Sequence, residues 1–476
     1  MSEILSIPEI QGLDSCGAQI RIAPDHDVPL TPRVRAIIDT AAFRRLARIS
    51  QLGLVSLVYP AAQHTRFEHS LGVYRLALLL LKRLAHEPRF AAVVSRGDAE
   101  LLIVASLLHD IGHWPFCHPI EDIRLPNIPR HESSAKLFLA DREMADILRK
   151  QWKIRPQDLV ALLNKGKTPK EYLFEMNAWS LLSSILAGPV DIDKMDYLYR
   201  DSLHAGVPYG RHFDLNRLVR SLTVNDAADG LAITEKGKTA AELLVFARYV
   251  MFSEVYWHKS VRCATAMLQR AFFILCDRRE NGDGFNLEAC FHSTEREMID
   301  AMLAAARETE ALPLLDGLFG KRRRLYKRVV EYSIVQQPEI YAMLAGKPYP
   351  WLCGVAARLA GAILPHLAVP PKSPPPILLL DAPPIEREVE FRIDVHYPKE
   401  GVYRLLGDVS PVVRTLAHDQ FDDHVKRVRI FVPPEHAETI RKLKNLPELV
   451  GDAVADLKKN KERSGARDEA RQVEAC

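Results

Sequence analysis

Apolar residues recur at helical spacing along most of this chain. Between about residues 31 and 365 they return every three to four positions, as in 34–49, 71–85 and 99–113. Such spacing gives each helix an apolar stripe through which it can pack against its neighbours. The pattern therefore predicts a mainly α fold built around one large helical domain.

Alternating apolar and polar residues predict strands in several short segments. The segments 18–24 and 230–237 interrupt the helical pattern, and the glycines that bound the second one predict a small hairpin. The segments 388–397 and 427–434 follow the helical pattern and predict a small α+β appendage at the C-terminus. We expect the first two segments to lie at the periphery of the fold.

A proline-rich run separates the helical pattern from this appendage. Proline lacks a backbone N–H donor, so the run suits neither a helix nor a central strand and predicts an extended connector. The last residues are charged and poor in apolar side chains, which predicts a frayed helix or a disordered tail. The predicted organisation is an N-terminal segment (1–30), a helical domain (31–365), a connector (366–386), an α+β region (387–450) and a charged tail (451–476).

Charge and cysteine content narrow the function classes. Lys and Arg number 64 against 61 Asp and Glu, so no overall field indicates nucleic acid or an anionic membrane as a partner. The seven cysteines include no CxxC pair, which is typical of reduced thiols. The most apolar run, 76–81, is too short to cross a bilayer. We therefore expect a cytoplasmic protein without a membrane partner, in which a phosphorylated ligand must meet local positive charge.

His109 and Asp110 lie at the end of an almost wholly apolar helix, which Pro115 should stop. A buried carboxylate is costly unless a cation compensates it, and imidazole nitrogen together with carboxylate oxygen suits Mn, Fe or Zn. The alternative is a histidine stabilised by the helix dipole beside a solvated aspartate. That alternative would be favoured for an isolated His-Asp pair. The His109-Asp110 pair is not isolated, because two other predicted helices also carry polar residues.

The two other helices carry polar stripes. Arg66 and His69 are three residues apart and so share one helical face. The second helix begins after Gly188-Pro189 and carries polar residues at steps of four, with a lysine at the edge: Asp193, Tyr197, Asp201 and Lys194. This stripe is either a salt-bridged surface or, beside a metal, one ligand with several phosphate or sugar contacts.

The order His69, His109-Asp110, Asp193 matches the H…HD…D signature of the HD superfamily. The flanking segments resemble the deoxynucleoside triphosphate triphosphohydrolases within this superfamily. These segments are FRRLARISQLGLVSLVYP (43–60), HTRFEHSLGV (64–73), HDIGHWPFCH (109–118) and DIDKMDYLYRD (191–201). The resemblance extends from about residue 20 to 360, with a fainter likeness in RVRIFVPP (427–434). It implies an HD-domain helical core with small β-hairpin elements and a small α+β C-terminal appendage.

The resemblance implies a metal-dependent reaction on nucleotides. A divalent metal, which is Mn, Fe, Mg, Zn or Ni, would be held by His69, His109, Asp110 and Asp193. It would activate water and neutralise phosphate charge, so that a dNTP is hydrolysed to deoxynucleoside and inorganic triphosphate. The general acid would be His118 in first place and His131 in second, although a packing role is the alternative for either. The full predicted catalytic group is His113, His118, His131, Glu121 and Glu132.

The resemblance also implies a set of substrate contacts: Gln51, Arg66, Lys194, Tyr197, Asp201, Arg248 and Tyr256. The cations and the Tyr197 hydroxyl would hold the triphosphate, since polyphosphate binding needs charged and hydroxyl donors. Gln51 and Asp201 would recognise the sugar 3′-hydroxyl. Tyr256 would close over C2′ and exclude ribose, or it is a core aromatic on a helix. Phe252 replaces a histidine found in the family.

An effector site and an oligomer follow from the same resemblance. Asp39, Arg44 and Arg323 match positions of a nucleotide effector site, but Arg44 and Ala47 replace a glutamine and an arginine there. We therefore expect anion binding with weak guanine selectivity. The basic run KRRRLYKR (321–328) is alternatively a solvated helix face or a nucleic-acid patch. The family implies a homo-oligomer, either a dimer or a tetramer.

Two other functions stay open from the sequence. The metal site could serve another phosphoester, such as a nucleoside monophosphate, an oxidised nucleotide, a cyclic dinucleotide or an alarmone. The HD scaffold could instead bind nucleotides or nucleic acid without turnover, although a non-catalytic protein has no need for a complete ligand set. Products separate the two hydrolytic hypotheses, because inorganic triphosphate supports the dNTP reaction and orthophosphate or a linear dinucleotide supports the other.

Overall fold

Helices dominate the computed structural model of the protein, which describes residues 3–126, 128–164, 176–279, 285–370, 372, 374–384, 392–416 and 424–473. The helices of the N-terminal half are α1 (Pro8–Gln11), α2 (Pro32–Ile38), α3 (Ala41–Arg45), α4 (Arg66–Leu84), α5 (Pro88–Val93), α6 (Arg96–Leu108), α7 (Cys117–Glu121), α8 (His131–Leu139), α9 (Arg142–Ile147), α10 (Pro156–Leu163), α11 (Met176–Ala187), α12 (Ile192–Ala205) and α13 (Leu215–Ser221). Those that follow are α14 (Lys238–Met251), α15 (Lys259–Arg279), α16 (Leu287–His292), α17 (Glu295–Ala305), α18 (Leu312–Phe319), α19 (Pro338–Leu344), α20 (Tyr349–Ile363), α21 (Leu406–Val409), α22 (Pro411–Arg414), α23 (Ala437–Arg441) and α24 (Leu446–Val473). The predicted mainly α fold is confirmed.

Small sheets accompany the helices. Their strands are β1 (Gln19–Ile22), β2 (His26–Pro29), β3 (Leu222–Val224), β4 (Leu231–Thr234), β5 (Lys327–Tyr332), β6 (Leu379–Asp381), β7 (Asp394–Tyr397), β8 (Val402–Leu405) and β9 (Val428–Val432). The strand orders are β1-β2, β3-β4-β7-β8 and β5-β9-β6. Only the β4–β7 pair is parallel among these described strands.

The helices that carry the predicted metal ligands pack together in the main core. Ser95 and Asp98 begin α6 with a capping box, in which the Ser95 hydroxyl accepts the Asp98 N–H at 3.2 Å and Asp98 accepts the Ser95 N–H at 2.9 Å. Beyond this cap α6 is almost wholly apolar, and α4 turns Val73 and Leu76 into the same core. The apolar surface that stabilises the fold therefore also holds the two helices in register.

Helix α6 ends earlier than the sequence predicts. We expected Pro115 to stop it, but the last helical residue is Leu108 and His109 is its C-cap. The side chain of Arg45 stabilises the turn that follows the helix, since it donates to the backbone oxygens of Ile111 and His113 at 2.8 Å each. These oxygens are therefore satisfied outside a helix, and the chain is free to turn at Asp110.

The segment 230–237 is not peripheral, which corrects our expectation. Its strand β4 forms a hairpin with the preceding β3, and in the four-stranded sheet it lies between β3 and β7. Ala232 and Ile233 are fully buried. The sequence alone could not reveal this position, because the parallel partner β7 lies far along the chain.

The strands of the predicted C-terminal region pair with strands of the predicted helical domain. Strand β7 joins β4, and β9 lies between β5 and β6. Strand β6 falls within the predicted connector at a sheet edge, where proline-rich flanks are tolerated. Residues 388–391 of the predicted strand 388–397, and residues 474–476 of the tail, lie outside the described residues, while α24 continues to Val473. The domain boundaries stay a prediction.

Among the residues that the structure describes, no helix is both long enough and apolar enough to cross a lipid bilayer.

Candidate active site

One cavity contains most of the predicted site residues. It has a volume of about 650 Å³ and is lined from the start of α4, the end of α6, α12 and a π-helical turn (Phe252–Tyr256). The predicted residues that line it are Gln51, Arg66, His69, His109, Asp110, His113, His118, His131, Glu132, Asp193, Lys194, Tyr197, Asp201 and Tyr256. Glu121 and Arg248 are not lining residues of this cavity.

The predicted metal ligands converge on one point of the cavity. Nε2 of His69 lies 3.1 Å from Nε2 of His109 and 3.0 Å from Oδ1 of Asp193. Asp110 places Oδ1 3.4 Å from Nε2 of His109 and Oδ2 4.0 Å from Nε2 of His69. Two imidazole nitrogens with two carboxylates form a donor set that suits a divalent transition metal.

Hydrogen bonds on the far side of each imidazole direct its Nε2 atom at this point. Nδ1 of His69 lies 2.8 Å from Oδ2 of Asp196, and Nδ1 of His109 donates to the backbone oxygen of Ser106 at 2.9 Å. With Nδ1 as the donor, Nε2 presents a lone pair. Two lone pairs that face each other require a positive charge beside them, so the residues present fit a divalent metal.

The carboxylates around His69 also demand positive charge. Burial opposes protonation of His69, but hydrogen bonds with Asp193 and Asp196 raise its pKa to about 10. Burial disfavours the ionised form of Asp110, yet the nearby imidazoles and Arg66 hold its pKa well below its usual range. A bound cation would supply the charge that a proton on His69 otherwise supplies.

A buried ion-pair network fixes Asp196 behind His69. Asp196 accepts two hydrogen bonds from Arg200 at 2.8 Å each, and Arg200 also donates to Oε1 of Glu68 at 2.7 Å. The Asp196–Arg200 pair lies against Gly72 of α4, where an added methyl group would overlap Oδ1 of Asp196 and Nη2 of Arg200. Gly72 therefore lets α12 approach closely enough for Asp196 to reach His69.

The predicted catalytic histidines cluster next to the metal ligands. The ring centroids of His113 and His131 are 3.9 Å apart, and Nε2 of His118 lies 3.3 Å from Nε2 of His113. Nδ1 of His113 lies 3.1 Å from Oδ1 of Asp110, which joins the cluster to the ligands. Gly112 permits this packing, because a side chain there would overlap the backbone of His131.

Glu121 orients His131 although it does not line the cavity. Its carboxylate accepts the His131 backbone N–H at 2.7 Å and lies 3.0 Å from Nδ1 of the same residue. Burial works against ionisation, but the hydrogen bond with His131 holds the pKa of Glu121 below its ordinary value. Glu132 places Oε1 3.7 Å from Nε2 of His131. For His118, burial and the charge of His131 lower the pKa to about 3.

Two predicted phosphate-binding cations lie on the cavity wall, and carboxylates hold both in place. Nη1 of Arg66 donates to Oδ2 of Asp110 at 2.7 Å, with both side chains 6% exposed. Lys194 pairs with Asp191, the N-cap residue of α12, and donates to the backbone oxygen of Gly188 at 3.0 Å. Their positions are therefore set before any ligand binds.

Tyr256 and Asp201 form a hydrogen-bonded pair in the polar lining. The Tyr256 hydroxyl donates to Oδ2 of Asp201 at 2.6 Å, and Nε2 of His64 lies 2.9 Å from Oδ1. Tyr256 belongs to the π-helical turn after α14, so it departs from the 3.6-residue spacing that a core aromatic on a helix would follow. This turn presents the Tyr256 ring to the cavity.

Other predicted contacts differ in position. Oε1 of Gln51 is buried and has no hydrogen-bond partner among the described residues, which leaves it available to a ligand donor. Burial raises the pKa of Tyr197, so its hydroxyl stays a hydrogen-bond donor. The guanidinium of Arg248 lies over the ring of Phe252, 5.5 Å from its centroid, and Phe252 rather than Arg248 lines the cavity.

The predicted effector residues do not share one cavity in this chain. Arg323 lines a separate cavity of about 730 Å³, whose other cations are Lys259, Lys327, Arg328 and Arg441. Asp39 and Arg44 are exposed and do not line it. The basic run is not a helix face, because residues 321–326 are irregular and Lys327 begins β5. The effector site stays a prediction.

Sequence reasoning missed the residues behind the ligands. Asp196 and Arg200 are four residues apart on α12, a spacing at which an ion pair forms, and this signal was available. Gly72, three residues after His69, was a second signal for a close helix approach. His64 gave no comparable signal, since only the fold brings it to Asp201.

Comparisons with known proteins match the geometry. The family models that match are the HD domain, over residues 66–199, and the HD associated region, over residues 213–446. An uncharacterized protein of Methanocaldococcus jannaschii is 34% identical over 316 residues, which are 66% of this chain and 60% of that protein. The deoxynucleoside triphosphate triphosphohydrolase of Danio rerio is 30% identical over 269 residues, 52% of this chain and 43% of that protein. The chain thus spans less than two thirds of the length of either relative.

A solved structure shares the fold. The crystal structure of a hypothetical protein from Aquifex aeolicus superposes with a TM-score of 0.66 at 26% identity, covering 89% of this chain and 98% of that one. The HD match begins at Arg66 and ends at Tyr199, so it includes all the predicted metal ligands. The resemblance to the HD superfamily is confirmed, and so is the presence of His and Asp groups that can hold a divalent metal.

Proposed function

We propose that this chain, whose residues 66–199 match the HD domain, is a metal-dependent phosphohydrolase that converts a dNTP to a deoxynucleoside and inorganic triphosphate. One observation carries the proposal. A donor set for a divalent metal, a cluster of histidines, two anchored cations and a Tyr–Asp pair all line one cavity of about 650 Å³. The activity named for the Danio rerio relative supports the same reaction class.

The phosphate end is proposed to lie near the metal ligands. When bound by His69, His109, Asp110 and Asp193, a divalent metal supplies Lewis acidity that activates water and offsets phosphate charge. Arg66 and Lys194 add fixed positive charge at the cavity wall. Because both cations are already oriented by carboxylates, little side-chain entropy is lost when the triphosphate binds.

We propose His131 as the proton donor to the leaving oxygen, in preference to His118. Glu121 binds Nδ1 of His131, which fixes the ring and leaves Nε2 to carry the transferred proton. Nε2 of His118 is instead directed at Nε2 of His113. His113 and His118 then position His131, and Oε1 of Glu132 lies 3.7 Å from its Nε2.

The sugar is proposed to lie against Tyr256 and Asp201. Their short hydrogen bond uses one oxygen of Asp201 and fixes the phenol ring, so a ribose 2′-hydroxyl would meet a rigid wall. The unpartnered Oε1 of Gln51 would accept the 3′-hydroxyl. These contacts favour deoxynucleotides.

Product identification tests the proposal. The chain is incubated with each dNTP and NTP and with Mn, Mg and Fe, singly and mixed, and the products are separated by ion-exchange chromatography. Inorganic triphosphate together with deoxynucleoside is the expected result. Orthophosphate as the first product, or no turnover under any condition, would refute it.

We also propose that the chain forms a dimer or tetramer and that nucleotides bind near Arg323. The basic cavity around Arg323 supports anion binding, because five cations line it. Asp39 and Arg44 do not line this cavity, so an effector that also met them would have to bridge two copies of the chain. Mass and rate measured in parallel over a matrix of nucleotides, for the native chain and Arg323→Glu, test this. Activation that Arg323→Glu leaves unchanged would refute it.

A further inference from the structure

A second cavity lies between α4, α12 and α13. Its volume is about 610 Å³, which is in the range of small-molecule binding sites. None of its lining residues lines the candidate active site. It is therefore a separate site, and the proposed reaction does not use it.

Cations dominate the walls of this cavity. They are Arg75, Lys82 and Arg83 from α4 and Arg220 from α13, and His26 and His86 add further donors. Asp214 is the acidic residue of the lining, and its carboxylate already caps α13 by accepting the Arg217 N–H at 2.9 Å. The excess of positive charge over negative favours an anion.

Arg75 is a partly buried cation whose compensation is incomplete. Its Nε atom is buried and has no hydrogen-bond partner among the described residues. Burial lowers its pKa, and the nearby carboxylates of Asp25 and Asp196 do not restore it. Lys82, by contrast, pairs with Asp14, and Arg83 donates to the backbone oxygen of Arg220 at 3.1 Å. A buried donor without an acceptor is costly, and an anionic oxygen would satisfy it.

The cavity also offers apolar surface. Leu76 and Leu79 from α4 and Phe213, which is 4% exposed, line it together with Tyr199. Cations beside aliphatic and aromatic groups suit a ligand with both an anionic and an apolar part.

We propose that this cavity binds a small phosphorylated ligand of the nucleotide class, with its phosphates on Arg75, Arg83 and Arg220 and its apolar part against Leu79 and Phe213. The charge around the cavity argues against a nucleic acid. Asp14 pairs with Lys82, and Asp25 and Asp27 act on Arg75, so carboxylates flank the cations. A continuous phosphodiester backbone that ran past the cavity would meet these acids, whereas a small ligand held within the cavity would not.

Isothermal titration in metal-free buffer with EDTA tests the proposal, with inorganic tripolyphosphate and dATP as the probes. Arg75→Gln and the exposed Arg220→Gln are each expected to weaken one class of sites by about ten-fold or more, since each removes a charge-assisted hydrogen bond. Arg358→Gln is the matched control, because Arg358 is half-buried on α20, outside this cavity. It should bind both probes as the native chain does.

Hydrogen exchange locates the site. Probe-dependent protection of peptides covering 75–86 and 213–220, lost in Arg220→Gln, is the expected result. Tighter binding of dATP than of tripolyphosphate supports the assigned apolar contacts. Unchanged titrations in both variants would overturn the proposal. So would variants that lose binding of a single-stranded oligonucleotide while tripolyphosphate binding stays native.

Discussion

Replacement of Gly72 by alanine should damage the candidate metal site from behind. The added methyl group would overlap Oδ1 of Asp196 and Nη2 of Arg200, and neither side chain has free space, since they are 7% and 3% exposed. One member of the pair must therefore move. Because Asp196 also holds Nδ1 of His69, its movement would release the imidazole that the site depends on.

The size of the effect follows from the buried ion pair. Asp196 accepts hydrogen bonds at 2.8 Å from Nε and Nη2 of Arg200 and lies equally close to Nδ1 of His69. Separating a buried pair costs about 3–5 kcal/mol, more than the roughly 1–3 kcal/mol of ordinary overpacking. The gain in helix propensity from Gly to Ala is only about 1 kcal/mol. We therefore expect a net loss of about 2–4 kcal/mol in the free energy of unfolding.

Urea unfolding followed by circular dichroism measures this loss, and mass spectrometry measures bound metal. Gly361→Ala is the matched control, because Gly361 lies on α20 with open space around it and should gain about 0.5–1 kcal/mol. If Gly72→Ala does not fold, Asp196→Asn keeps the side-chain volume and should lower metal affinity by about 10–100-fold. A Gly72→Ala protein as stable and as metal-rich as the control would refute the reasoning.

Three further predictions concern other parts of the chain. His109→Ala or Asp110→Ala should abolish hydrolysis and bound metal, because no neighbour replaces a lost ligand; full metal occupancy with native turnover would contradict the site. Tyr256→Ala should lower the ratio of dNTP to NTP turnover by about ten-fold or more, and an unchanged ratio would indicate that Tyr256 is a core aromatic and not a sugar contact. Glu331 is partly buried, yet its hydrogen bond and ion pair with Arg429 hold its pKa below the ordinary value. A lowered folded-state pKa gives stability that is present above about pH 4 and is lost as the pH falls through that lowered pKa. Glu331→Gln should therefore cost about 1–3 kcal/mol at pH 7 and less at pH 3, and an equal cost at both would contradict the ion pair.

Helical periodicity was enough to predict the helical core, and a few short segments that resemble the HD superfamily indicated the candidate metal ligands. Apolar spacing identifies α4, α6 and α12 because each must bury a stripe, and this requirement acts within a dozen residues. His109-Asp110 stands out for a similarly local reason, since a polar pair at the end of an apolar helix needs compensation, whereas His69 and Asp193 were assigned from the resemblance to the HD superfamily.

Only the tertiary structure determined what lies behind and beside those ligands. Asp196 reaches His69 because Gly72 admits α12, and His64 meets Asp201 across 137 positions of the chain. The turn after α6 is held by Arg45, and the central place of β4 depends on β7 more than 150 residues later. Such contacts join segments that are far apart along the chain, so the periodicity of the sequence does not reveal them. Local patterns therefore predict which residues are chemically suited to the site, and tertiary packing determines which of them come into contact.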